Sequence, residues 1–178
     1  MNASIFGKQK DQFFMQLALA QAKRAFEKNE VPIGAIVVAP DGTIIARAFN
    51  RVEQKHTQRA HAEMLVLEKA AQKYGDWRLS GHWLYVTLEP CSMCMGLARL
   101  SRLAGVVYGA DSPLFGYQLD NVEGLRVYNE DVLLTIKGVE ATEAALLLKQ
   151  FFQNKREKKG EWYKRKQPRS NKKNTFKA

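Results

Sequence analysis

Both cysteines of this 178-residue chain fall three residues apart, as Cys91 and Cys94 in EPCSMCM (89–95). His61 and Glu63 stand two apart in AHAEM (60–64). Imidazole nitrogen and thiolate sulfur are zinc ligands, and one His with two Cys makes three of them, which leaves the fourth tetrahedral position to water. An open position marks a catalytic centre, whereas a structural site is closed by a fourth side chain. The two thiolates neutralise the dication. Glu63 is near enough to hydrogen-bond a water in the fourth position without coordinating, and a carboxylate there can take the water's proton and return it to a leaving amine. A lone helical His is ordinarily a surface or core residue, and a lone C-x-x-C can be a redox pair. A zinc ribbon needs a second C-x-x-C, which this chain lacks. His56 and His82 match no pattern and read as ordinary surface residues.

Such a centre needs elements to hold it. Residues 92–103 read as a helix that begins just after Pro90, a residue suited to helix starts because its missing N–H has no intrahelical partner there. The positive end of that helix favours Cys91 and Cys94 as thiolates. His61 opens a second helix over 61–74, with Ala62, Leu65, Val66, Ala70 and Tyr74 on one face. An amphipathic helix over 11–28 carries Phe14, Leu17, Ala18, Ala22 and Ala25 at helical spacing. IGAIVV (33–38) and TIIARAF (43–49) flank the turn signal APDG and predict a β-hairpin. WLYVTL (83–88), GVVYG (105–109) and VLLTI (132–136) read as further strands. Residues 110–131 read as loop with one turn of helix, and 140–158 as a long helix with Ala144, Leu147, Leu148, Phe151 and Phe152 in register. The order α-β-β-α-β-α-β-β-α predicts a layered α/β domain with one mixed sheet.

The bulk numbers fit one domain over residues 1–158 and a basic tail over 159–178, expected to be disordered after Gly160. Hydrophobic residues make up 46%, enough for a core. No 18-residue apolar run predicts a membrane span, and residues 1–10 lack the apolar centre of a signal peptide, so the chain reads as cytoplasmic. The net charge of +10 is uneven: residues 153–178 hold 11 Lys/Arg against two Glu, net +9, and the rest is nearly neutral. Such an arm suits a polyanion, nucleic acid above all, or serves solubility alone.

His61-Ala62-Glu63 with Pro90-Cys91-Ser92-Met93-Cys94 resembles the signature of the cytidine deaminase superfamily. EVPIGAIVV (30–38), FNR (49–51), AHAEM (60–64), LYVTLEPCSMCMGLARLSRLAGVVYGA (84–110) and ALLLKQFF (145–152) resemble, within it, the bacterial tRNA-specific adenosine deaminases. The likeness spans about residues 10–158. It implies a three-layer fold with a central five-stranded mixed sheet between helices, one zinc ion per subunit, a homodimer, and conversion of the wobble adenosine of a tRNA anticodon to inosine with release of ammonia. It also implies that Asn50 hydrogen-bonds the flipped base. Asn50 otherwise reads as a strand-ending turn residue. Val31 and the LEP segment before Cys91 are expected to line the pocket, with Ile33 in the core. Phe151 and Phe152 are expected to stack near flanking nucleotides, one of the two being core instead. The chain departs from the family in DSPLFG (111–116). Ser112 and Leu114 stand where the family has Asp and Lys in a nucleotide-contacting loop, and Asp111 is expected to supply the missing carboxylate as a substrate contact. Two other readings stay open: a zinc deaminase of a free base or nucleoside, of guanine or cytosine type, and a nucleic-acid-binding module with structural zinc.

Overall fold

A computed structural model describes residues 3–120 and 133–166. Its hairpin forms as the APDG signal requires. β1 (Gly34–Val38) and β2 (Ile44–Phe49) pair antiparallel. Gly42 turns the chain at φ 87°, and the Asp41 carboxylate accepts the Thr43 N–H at 2.8 Å. The other edge of β1 pairs antiparallel with β3 (Trp83–Leu88). β3 pairs parallel with β4 (Gly105–Ala110), and β4 with β5 (Leu134–Ile136). The result is the expected five-stranded mixed sheet, in the order β2-β1-β3-β4-β5.

Continuous apolar strands demand cover on both faces, and side-chain alternation divides them between two cores. Ala35 and Val37, Leu84 and Val86, and Val106 and Tyr108 point to one face. There they meet α3 (Ala62–Tyr74) and α4 (Ser92–Leu100). Ile36, Val38, Trp83, Tyr85 and Val107 point to the other face. α1 (Lys8–Glu27) and α5 (Ala141–Lys166) cover it with Phe14, Met15, Ala18, Leu19 and Ala144. Gly34 lets α1 lie close, since a Cβ there would stand 2.1 Å from the Ala18 carbonyl oxygen.

The structure departs from the sequence reading at several points. A one-turn helix, α2 (Val52–Lys55), and a 3₁₀ turn at Gln58–Ala60 lie between β2 and α3. Another 3₁₀ turn lies at Tyr117–Asp120. α4 starts at Ser92 with Cys91 as its N-cap, so Pro90 lies outside the helix, which ends three residues before the expected Leu103. α5 does not stop near Lys158 but runs to Lys166, because the Lys, Arg and Glu beyond Phe152 are good helix formers. His82 is not a surface residue. It is 1% exposed, with Nδ1 3.1 Å from the Ser80 carbonyl and its ring 4.8 Å from that of Tyr74. Its carbonyl accepts the Ala104 N–H at 2.9 Å, which ties it to the β4 entry and carries the ring inward. The expectations for residues 121–131 and for the tail beyond Lys166 fall outside the described residues.

Candidate active site

The strand register gathers the chemistry-bearing residues at one edge of the sheet. Gly34 pairs with Phe49, Ala35 with Val86, and Leu88 with Ala110. The start of β1 and the ends of β2, β3 and β4 therefore lie together. Val31, Asn50, the turn Glu89-Pro90-Cys91 and Asp111 follow from those strand ends. The Arg51 N–H donates to the Ala60 carbonyl at 3.0 Å, which brings the segment before His61 alongside Asn50.

At this edge two helix N-termini meet. His61 is the N-cap of α3 and Cys91 that of α4. His61 Nδ1 lies 3.8 Å from Cys91 Sγ and 3.5 Å from Cys94 Sγ, and one ligand atom from each residue lies within 4.8 Å of the others. Zn–S and Zn–N bonds in a tetrahedron put nitrogen and sulfur about 3.6 Å apart, so both nitrogen–sulfur pairs already stand near zinc-ligand separations. His61 Nε2 lies 3.2 Å from Gln58 Oε1. A proton on Nε2, donated to that amide oxygen, leaves the Nδ1 lone pair for a metal.

The electrostatics suit a cation. Cys91 is drawn down to about 4, chiefly by the hydrogen bond from the Cys94 thiol and then by His61. The same contact, with burial, pushes Cys94 strongly up. His61 is raised by its hydrogen bond to Cys91. Among the protein groups alone, the two sulfurs thus share a proton that a dication would displace. Glu63, in the first turn of α3, is buried, and burial pushes its carboxyl up. Its Oε2 has no partner among the described protein groups. An orphaned carboxylate oxygen beside three metal ligands fits a zinc site that works on water.

Asn50 is buried, and its backbone N–H donates to the Ile33 carbonyl at 2.9 Å. Its side-chain amide donates to Glu30 Oε2 at 3.4 Å. Glu30, 1% exposed, also accepts the Glu53 N–H at 3.1 Å and the Gln54 N–H at 2.7 Å, capping α2. Val31 is half-buried between Glu30 and Pro32, and Ile33 packs against the α3-side core. Asp111 is exposed. Buried Glu89 accepts the Ser112 N–H at 2.9 Å and the Gln118 N–H at 3.3 Å, so the loop after β4 is fastened to the turn that carries Cys91. Phe151 and Phe152 separate as expected for one core residue. Phe151 is 5% exposed and packs on Phe26 with ring centroids 5.7 Å apart, so its face is taken up within the fold; Phe152 is 45% exposed. Gln58, Glu30 and the anchoring role of Glu89 lay outside the sequence reading. Glu30 left one weak trace, a carboxylate three residues ahead of the apolar run IGAIVV (33–38).

The zinc-binding region of cytidine and deoxycytidylate deaminases matches residues 8–110 of this chain. The chain belongs to that family of zinc-dependent deaminases. A Bacillus subtilis relative named tRNA-specific adenosine deaminase is 45% identical, over 84% of this chain and 92% of its own length. One of the same name from Agrobacterium fabrum is 41% identical, over 80% of this chain and 94% of its own length. A solved structure from work on A-to-I editing by tRNA:A34 deaminases at the wobble position of transfer RNA superposes with TM-score 0.66. It is 35% identical and covers 76% of this chain and 98% of that one. Among the described residues, no helix is long and apolar enough to cross a membrane.

Proposed function

We propose that this protein hydrolyses the 6-amino group of adenosine at the wobble position of a tRNA anticodon, giving inosine and ammonia. The observation that carries the reading is the His61–Cys91–Cys94 cluster with the partnerless Glu63 oxygen beside it. The near full-length likeness to tRNA-specific adenosine deaminases supports the choice of substrate.

His61, Cys91 and Cys94 would hold one zinc ion per subunit, which supplies the acidity that makes water a nucleophile near neutral pH. Glu63 takes one proton from the attacking water and passes it to the purine ring nitrogen, then carries the second, from the new hydroxyl, to the departing amine, which leaves as ammonia. Asn50, its amide fixed by Glu30, holds the flipped base by a hydrogen bond, and Val31 lines the pocket wall. Asp111 and Phe152 are exposed outside the zinc cluster, where RNA flanking the target can reach them.

The RNA contact extends to the basic end of the chain, where residues 153–178 carry net +9. The protein acts in the cytoplasm, with its substrate. It works as a homodimer. A groove of about 570 Å³ beside α3 and α4, lined by Met64, Leu97 and Leu100 together with Lys55, Arg59 and Glu68, is the surface we assign to a second copy. The deciding experiment incubates zinc-loaded protein with a tRNA bearing adenosine at the wobble position, and separately with free adenosine, guanine and cytosine. Inosine in the tRNA alone confirms the reading. Ammonia from a free base with the tRNA untouched overturns it.

A further inference from the structure

Leu114 and Phe115 are adjacent and 76% and 75% exposed, the two highest exposures among the large hydrophobic residues described. They do not belong to a loose loop. Glu89, buried, holds the backbone N–H of Ser112 on one side of the pair and that of Gln118 on the other. Gly116 lies flat on the same carboxylate, and a Cβ there would stand 2.3 Å from Glu89 Oε2. The Gly116 N–H closes the turn on the Ser112 carbonyl at 3.1 Å. The Tyr117 N–H donates to the Pro90 carbonyl at 2.9 Å, one residue before the ligand Cys91. Phe115 is two residues from Tyr117, hence within about 7 Å of chain from the residue bonded to the site's own turn.

A fastened loop that holds two large apolar side chains out into water beside the reaction centre is poised for a partner. A pocket that takes one base leaves its neighbours outside, at the rim. RNA loops are recognised by stacking such unstacked bases on aromatic side chains. We propose that Leu114 and Phe115 form an apolar platform on which a nucleotide flanking the target adenosine stacks, with Glu89 as the positioning residue that presents it. This rests on the tRNA reading above. The platform carries no charge, so its contribution differs in kind from phosphate contacts: it does not weaken with salt through counterion release.

The test uses full-length, zinc-loaded protein carrying Glu63→Gln to stop turnover, and an anticodon stem-loop with 2-aminopurine at each neighbour of the wobble position in turn. Phe115→Ala should raise Kd at least about fivefold, the lower end of what removing an aromatic from a base stack costs. It should abolish the 2-aminopurine quench at one neighbour while the slope of log Kd against log salt stays that of the parent. Phe115→Tyr should restore both affinity and quench. Zinc content and molecular mass in solution should not change. An unaltered Kd, an unaltered quench, or a change only in salt slope overturns the proposal. So does dissociation of a dimer by Phe115→Ala, which would make the tip an interface between copies. Failure of the otherwise unsubstituted enzyme to deaminate the stem-loop would instead overturn the substrate reading.

Discussion

Glu30→Gln tests how the pocket is built. Two carboxylate oxygens of Glu30 serve three donors: Oε1 takes the Gln54 N–H at 2.7 Å, and Oε2 takes the Glu53 N–H at 3.1 Å and the Asn50 amide at 3.4 Å. Glutamine keeps one acceptor oxygen and puts an NH₂ in place of the other. Whichever way it turns, at least one donor faces a donor, and the remaining bonds lose the help of the charge. Hydrogen bonds to a charged group are each worth about 1.5–3 kcal/mol. Glu53 and Gln54 are exposed and their N–H groups can turn to water, so the lower end applies, about 1.5–2 kcal/mol. For a chain of this size that lowers Tm by about 3–8 °C. The catalytic effect runs through Asn50. An amide no longer held toward the base forfeits a hydrogen bond of about 1–3 kcal/mol, a fall in kcat/KM of about 5- to 150-fold. Zinc should stay at one per chain. The assay is deamination of a wobble-adenosine stem-loop at limiting substrate for Glu30→Gln, Asn50→Ala and the pair. If Glu30 works through Asn50, the double variant is no slower than Asn50→Ala alone. Losses that simply add refute the reasoning, as does a Glu30→Gln enzyme within twofold of the parent.

Cys94→Ala should remove zinc, measured by metal analysis, and abolish activity. Retention of a full equivalent of zinc would contradict the ligand assignment. Glu63→Ala should keep zinc and stem-loop binding while turnover falls by at least about 10²–10⁴-fold, checked by single-turnover kinetics. Gln58→Ala should weaken zinc binding about tenfold in a chelator competition, the low end for a lost outer-shell partner because Gln58 is exposed. Deleting residues 161–178, which carry net +6, should raise the Kd for tRNA and flatten its salt slope, with kcat at saturation unchanged. Superimposable salt lines for the two forms would make the tail a bystander.

What the sequence made legible was local. His61 with Glu63, and Cys91 with Cys94, each belong to one helix start, so residue type and spacing alone bring them together. The strands were legible for the same reason: a run such as GAIVV (34–38) is apolar at every position, as a strand in a sheet covered on both faces requires. What escaped was set through space. Glu30 reaches residues more than 20 positions away, and nothing in its neighbours marks a carboxylate as 1% exposed. Gln58 meets His61 only because a 3₁₀ turn puts residues three apart on one side. Phe151 and Phe152 both read as in register on the apolar face of the last helix, and Phe26 on α1 packs on Phe151 and leaves Phe152 exposed. His82 was misplaced because histidine is ambivalent about burial, and a backbone bond at a strand entry overrides side-chain preference.

The two buried carboxylates at this edge show how the fold separates structure from chemistry. Glu30 is surrounded by donors and both of its oxygens are occupied. Glu63 is comparably buried, yet one of its oxygens has no donor among the described protein groups. Leaving a buried polar atom unpaired costs about 1–3 kcal/mol. A residue whose duty was to hold helices in place would recover that energy by turning to a backbone N–H, as Glu30 and Glu89 do. Glu63 instead sits in the first turn of α3, two residues from His61, and presents the free oxygen beside the metal ligands. A group that must carry a proton between water and a leaving amine has to keep one oxygen unpaired for that purpose. On the function proposed above, the unpaired atom separates Glu63, the proposed proton carrier, from the two carboxylates whose oxygens are taken up by backbone and side-chain donors.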